Sequence, residues 1–415
     1  MRTCFILALL FVSNLSADAT DFAEGKVYCG YQGWFRSEGD GTASGWQHYS
    51  AGGRFEPGSC SIDLWPDVRE LPAAARALTG FNHPDGSAAE VFTSAHRGTV
   101  RTHFEWMRDY GIDGAFLQRF AVSTRDARLR PPMDDILKYV GEAASATRRS
   151  WAVMYDLSGL KPDQVDAVKE DWKRLDEQFR LRSGVMNPTY LQHRGKPLIA
   201  LWGCGFSDRP AMLEQWRGLV AFFKDDPQFG GCSVLLGVPA FWRTLDRDAI
   251  ADAALHGILS SADIIMPWSV TRYRTPEEAA AFATRTLAPD LAWCRGSGLD
   301  YLPVVFPGFS WHNLMKGRGK EAPFDAVPRL GGRFFWSQCI QAQRVGAKAI
   351  YVAMFDELDE GTAIFKVRQD PPVGASPFVA EPELPNDHYL WLSGAAGRLL
   401  RGELPPGSGD LPTRK

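Results

Sequence analysis

The feature that most restricts the fold is a rhythm of short apolar runs, each followed by a longer amphipathic segment, through most of the 415 residues. The runs fall at 26–35, 112–119, 151–156, 197–202, 232–238, 262–268, 301–306 and 349–355. Helical spacing separates them, over 99–110, 133–146, 161–182, 210–224, 246–254, 275–296 and 332–345. Each run is apolar throughout rather than alternating, the pattern of a parallel strand buried on both faces. Eight such units with right-handed crossovers close into one α/β (β/α)8 TIM barrel. No G-x-G-x-x-G or G-x-x-x-x-G-K-[ST] follows a run, which excludes the phosphate loops of doubly wound nucleotide sheets.

The barrel is expected over 20–402, with a long irregular loop after the first strand, a wrapping segment over 367–384 and a last helix over 387–401. Gly394 and Gly397 weaken that helix, since an interior glycine costs about 1 kcal/mol against alanine. The tail, 403–415, is expected to be disordered. At the other end, Arg2, the apolar run 4–12 and Ala17-Asp18-Ala19 form a signal peptide over 1–19, cleaved after Ala19. That implies export, to the periplasm or beyond, of a protein with no other membrane-spanning stretch. Cys29, Cys60, Cys204, Cys232, Cys294 and Cys339 remain, without metal-ligand spacing. Export permits a disulfide among them, Cys29–Cys60 first. The net charge of -3 leaves no footprint for nucleic acid.

The eighth run ends in Asp356, Glu357, Asp359 and Glu360, with Gly361 next. A carboxylate beside a core must be solvated, paired or used. Residues three apart on an extended strand point to opposite faces, so Glu357 and Glu360 meet only if the chain turns just after Glu357. Converging, they would form the acid and base of glycoside hydrolysis. A solvated acidic loop is the plain alternative. Calcium ligation by Asp356, Asp359 and Glu360 is another, although the D-x-[DN]-x-[DN]-G spacing is absent.

A barrel carries its site where its strands end. The strand ends offer Tyr31, Gln32 and Trp34; Gln118 and Arg119; Tyr155 and Asp156; Trp202; Phe241 and Trp242; Trp268; Phe309, Trp311, His312 and Asn313; and the acids, Asp356 included. The set is aromatic and acidic, within a chain containing 14 Trp. Flat faces for stacking and carboxylates for hydroxyl groups suit an oligosaccharide or polysaccharide. No metal ligand set and no cofactor motif accompany them, and a monomer is expected. His193, before the fourth strand, reads as structural. No G-x-S-x-G elbow and no H-E-x-x-H occurs, which leaves acyl transfer and zinc proteolysis without their motifs.

Tyr28-Cys-Gly-Tyr-Gln-Gly-Trp-Phe35, Leu64-Trp-Pro-Asp67, Gly195-Lys-Pro197, Pro307-Gly-Phe-Ser-Trp-His-Asn313 and Phe355-Asp-Glu-Leu-Asp-Glu-Gly-Thr362 resemble the glycoside hydrolase family 71/99-like proteins. That group includes endo-α-mannosidases and secreted bacterial relatives labelled xylosidase/arabinosidase. The resemblance implies a (β/α)8 barrel with a Glu-x-x-Glu after its last strand. It implies that Glu357 is the base assisting the substrate 2-hydroxyl through a 1,2-anhydro sugar, and Glu360 the acid/base, with net retention. Leu358 and Asp359 stand where the best-known endo-mannosidases have Trp-His, and the first-strand motif differs from their Tyr-Pro-Trp-Tyr-like version. The readings kept open beside an α-mannan hydrolase are a glycosidase for α-glucan, xyloside or arabinoside, and a non-catalytic sugar-binding barrel.

Overall fold

A computed structural model describes residues 21–405 and 410–414; the expected signal peptide lies outside them. The strands are β1 Lys26–Tyr31, β2 Gly114–Phe120, β3 Ser150–Asp156, β4 Lys196–Trp202, β5 Ser233–Pro239, β6 Ile264–Trp268, β7 in two pieces at Asp300–Tyr301 and Val304–Val305, and β8 Ala349–Val352. They pair in parallel in chain order, and β8 returns to β1. Closure depends on β7, whose first piece pairs with β6 and whose second pairs with β8. The Leu302 N–H donates to Ile265 O and the Tyr351 N–H to Pro303 O, both at 2.9 Å. The break falls at Pro303, which has no N–H to give a ladder.

The helices are α1 Arg97–Tyr110, α2 Arg130–Thr147, α3 Asp166–Phe179, α4 Leu213–Asp225, α5 Ala254–Leu259, α6 (Pro276–Phe282 and Ala288–Gly296, joined by a π-helical turn), α7 Arg333–Arg344 and α8 His388–Leu400. Their ends follow local chemistry. Gly111 stops α1 in the left-handed conformation, and the Thr275 side chain caps α6 by accepting the Glu278 N–H. Strand β5 is buried at every position, as a strand between barrel core and helices must be. The glycine that argued against α8 has a packing role. A β-carbon at Gly394 would lie 1.9 Å from the Tyr110 carbonyl oxygen, so glycine lets α8 lie on the end of α1.

The long loop after β1 is less irregular than expected. It contains an antiparallel hairpin, Arg76–Asn82 with Ala88–Phe92, and an aromatic core of Phe55, Trp65 and Phe81. The wrapping segment completes it: Phe378 packs on Trp65, the Arg368 N–H donates to Trp65 O (2.9 Å), and the Val379 N–H to Asp63 O (2.8 Å). His193 is buried at the opposite end of the barrel, between the Ser233 hydroxyl (3.1 Å) and the Asp300 carboxylate (2.9 Å). The six described cysteines are free and buried, so the Cys29–Cys60 pair is not formed. In the tail expected to be disordered, Arg414 donates to both carboxylate oxygens of Asp387, at 2.7 and 2.6 Å. Among the described residues no helix is long and apolar enough to cross a membrane.

Candidate active site

Beyond β8 the chain runs through buried Ala353, Met354 and Phe355 and then turns. The Glu357 carbonyl accepts the N–H groups of Thr362 (3.1 Å) and Ala363 (2.9 Å), which folds the chain back just where the Glu357/Glu360 spacing demands it. Gly361 has φ +63°, and a β-carbon there would lie 2.9 Å from the backbone N and O of Ser310, so both conformation and space require glycine. Three other segments hold the turn. The Asp63 N–H donates to Leu358 O (3.0 Å), the Ser310 N–H to Glu360 O (2.9 Å), and Arg329 Nη2 to Gly361 O (2.9 Å) and Ala363 O (2.7 Å). The backbone is thus fixed largely from outside, and no hydrogen bond from a described side chain to the Glu360 carboxylate takes part in holding it.

The four acids divide by what they touch. Asp356 is fully buried, and its two oxygens accept the backbone N–H groups of Gln32 (2.7 Å) and Gly33 (2.9 Å). It clamps the β1 loop, while burial pushes its carboxyl up to about 7. Asp359 Oδ2 lies 3.1 Å from His48 Nδ1. Glu357 is buried and accepts from the Gln32 amide and the Thr362 hydroxyl, both at 3.1 Å. Burial and then the charge of Glu360 push its carboxyl well above the usual range. Glu360 is half-buried, and no side-chain donor reaches its carboxylate among the described residues. Burial and Asp359 raise it to about 7, with Arg318 pulling the other way. Among the described residues, no group of three or more His, Cys, Asp or Glu side chains is arranged to hold a metal ion.

Around this turn the strand ends present flat faces and amides. Trp202 and Trp268 meet edge to face at 5.5 Å, and Trp268 lies 6.4 Å from Tyr351. The Tyr351 hydroxyl accepts from the Gln118 amide (3.0 Å). Asp156 at the end of β3 is raised by burial, although it accepts the Ser158 N–H (2.7 Å). Trp34 stacks flat on His48, centroids 3.7 Å apart and 7° from coplanar. A cavity of about 200 Å³ opens there, lined by Gln32, Trp34, His48, Gln118, Phe120 and Met133. Trp311 is half-buried against Phe309 and leads into the short helix His312–Gly317. Asp63 caps that helix by accepting the N–H groups of His312 (2.7 Å) and Asn313 (2.8 Å), and His312 Nδ1 donates to Ala322 O (2.8 Å).

Five expected site residues face elsewhere. Tyr31 is buried with its hydroxyl on His103 of α1 (2.9 Å). Arg119 is buried between Asp171 and Asp134, and Tyr155 donates to Asp171 (2.8 Å). The cause is the two-residue period of a strand: Gln32, Gln118 and Asp156 face the barrel axis, so their neighbours Tyr31, Arg119 and Tyr155 face the helices. Trp242 is fully buried against Trp293 of α6. Asp356 is committed to backbone. Conversely, His48, Asp63, Arg318, Tyr351 and Thr362 join the site without having been expected there. Asp63 carried a signal, an acid between Ile62 and Leu64 in an apolar stretch; the others carried none.

No family model matches the sequence, and no curated protein matches it. Among solved structures the chain is similar to the GH99 endo-alpha-mannosidase from Bacteroides thetaiotaomicron, with TM-score 0.62 and 12% identity over 92% of this chain and 98% of that one. The same enzyme in complex with bis-tris-propane matches with TM-score 0.61 and 12% identity over the same shares. At that identity the likeness is one of architecture, and the closed barrel described above is the fold of that endo-α-mannosidase.

Proposed function

We propose that this chain is an exported glycoside hydrolase that cleaves α-linked glycans, α-mannan first among them, with net retention. The observation that carries the reading is the pair Glu357 and Glu360, on a braced turn at the mouth of the barrel, with both carboxyls raised. Such a pair keeps one proton near neutral pH, and hydrolysis needs one acid and one base. Two donors on Glu357 and none on Glu360 work against the burial that raises Glu357 the further of the two, and favour the shared proton moving to Glu360. Once the proton resides on Glu360, its charge no longer opposes ionisation of Glu357.

In this reading Glu357 takes the proton of the sugar 2-hydroxyl as that oxygen attacks the anomeric carbon. Glu360 gives its proton to the departing glycosidic oxygen. Water, deprotonated by Glu360, then opens the 1,2-anhydro sugar, and Glu357 returns its proton to O2. Two displacements at one carbon leave its configuration unchanged. Trp34, Trp202, Trp268 and Trp311 supply the stacking faces, with Gln118 and Asp156 for hydroxyl groups. The shared fold with an endo-α-mannosidase supports an α-mannoside, and the leader expected over 1–19 supports action outside the cytoplasm.

The test is hydrolysis by the purified protein of a panel of α-mannans, α-glucans and aryl glycosides, with the first-formed anomer followed by proton NMR. Cleavage with the substrate's own anomer appearing first is the expected result. The opposite anomer would overturn the mechanism. Tight binding of glycans with no cleavage of any would replace the hydrolase by a sugar-binding barrel.

A further inference from the structure

A cavity of about 650 Å³ lies away from the carboxyl pair. It opens between the loops that follow β5 and β6 and the side of α6, and β5 stands across the barrel from β1. Its lining includes five arginines: Arg243, Arg247, Arg272, Arg274 and Arg285. The acids that line it are Asp246, Glu278 and Asp290. Two of the arginines are neutralised, Arg243 by Asp290 and Arg272 by Asp248, both at 2.7 Å. The guanidinium groups of Arg247, Arg274 and Arg285 form no ion pair among the described residues, and neither do two of the lining carboxylates, Asp246, which accepts the Thr244 hydroxyl, and Glu278, which accepts the Arg274 backbone N–H (2.6 Å). The Arg247 guanidinium lies over the Phe241 ring at 4.1 Å, and Arg285 reaches only the Ala281 carbonyl, at 3.3 Å.

The cleft is built rather than incidental. Asp248 accepts the N–H groups of Ala240 and Phe241 (3.1 Å each) as well as Arg272, which ties the β5 loop to the β6 loop. Leu245, Arg247 and Thr271 hold left-handed backbone with φ of 55°, 54° and 67°, a conformation non-glycine residues adopt only where surroundings impose it. With five arginines against Asp246, Glu278, Asp290 and Asp248, the concave surface keeps a small positive excess, and a guanidinium fork without an ion pair can give paired N–H bonds to a tetrahedral oxyanion.

We propose that this cleft binds an anionic substituent, a sulfate or phosphate ester, carried on a glycan. The anion site follows from the arginines; that its carrier is a carbohydrate rests on the function proposed above. The cleft is on the same barrel face as the carboxyl pair, so an ester held here belongs to a sugar remote from the bond cleaved, and it selects decorated chains.

The experiment uses the full mature chain with Glu360→Gln, so that binding is read without turnover. Isothermal titration compares dextran sulfate with dextran, sulfated α-mannan with α-mannan, and inorganic sulfate alone. The sulfated polymers are expected to bind about tenfold or more tightly than their parents, with the advantage shrinking as salt rises. Arg247→Gln with Arg274→Gln, both exposed positions, should abolish the advantage and leave the binding of the neutral parents unchanged. Arg285→Gln should remove part of it. Equal binding of sulfated and neutral forms, or an advantage that survives the double substitution, overturns the proposal. Binding of inorganic sulfate that the double substitution removes, with no preference for sulfated polymer, overturns the glycan carrier. Equal binding of sulfated and neutral polymers with the cleft unsubstituted, while the wild type still cleaves neutral glycans, condemns this cleft alone. A wild type that cleaves no glycan while the preference persists condemns the hydrolase reading alone.

Discussion

Two clusters of acids lie on either side of β1 and differ in kind. At the end of β8, Asp356, Glu357, Asp359 and Glu360 gather with few cations near them, and burial drives Asp356, Glu357 and Glu360 upward. Behind β2 and β3, Asp171 and Asp134 meet Arg119 and Arg174 in a closed network at 2.5–2.9 Å. There burial pushes Asp171 up, but Arg119 and then Arg174 more than offset it and leave it below the usual carboxylate range. The first cluster faces the barrel axis and the second faces the helices. Charge compensation makes the second a brace, and its absence leaves the carboxyls of the first raised, as the proposed chemistry requires.

The comparison breaks most visibly under substitution of its carboxyl pair. Glu357→Gln should lower kcat on glycans by about 10³ with an unchanged circular dichroism spectrum. A loss under tenfold would return Glu357 to the structural class. Arg119→Met should do the reverse. It strands buried carboxylates and should lower unfolding free energy by about 3–5 kcal/mol in urea titration, with activity per folded molecule retained. Gly361→Ala should fall between the two, losing about 1–3 kcal/mol from the strained backbone and shifting the turn that carries Glu360. Its kcat should fall more than its stability explains.

The clusters should also differ in the sign of their pH dependence. Glu360, with a folded value of about 7 against 4.5 in the unfolded chain, contributes stability at acid pH that disappears as pH rises through 7. Asp171, held below its unfolded value, contributes stability above that value that is lost as the medium is acidified. The stability of Glu360→Gln relative to wild type should therefore rise between pH 5 and 8, and the deficit of Arg119→Met should shrink toward acid. Thermal unfolding from pH 8 down to about 3, below the 3.8 of an unfolded aspartate, reads both, and slopes of the same sign would remove the distinction.

Much of this is legible in the sequence, and the displacement of Tyr31, Arg119 and Tyr155 from the site has one cause. Strands buried on both faces appear as unbroken apolar runs, so the barrel emerged from order alone, and Pro303 did not hide β7. The acids after β8 were visible because an apolar run ended in them. Consecutive residues at a strand end look alike in a sequence, but the pleat sends Gln118 to the axis and Arg119 to the helices. His48 was beyond reach for another reason. It meets Asp359 across 311 positions, through a loop whose own core of Phe55, Trp65 and Phe81 has no strand or helix period.

The central claim, that Glu360 is the acid of a glycoside hydrolase, is tested most directly by the leaving-group dependence of Glu360→Gln. Its kcat/KM should fall by about 10³ on a natural glycan. It should fall far less on an activated glycosyl fluoride, which departs without a proton, and the limb of the pH profile near 7 should vanish. An equal loss on both substrates, or no loss on either, would contradict the assignment.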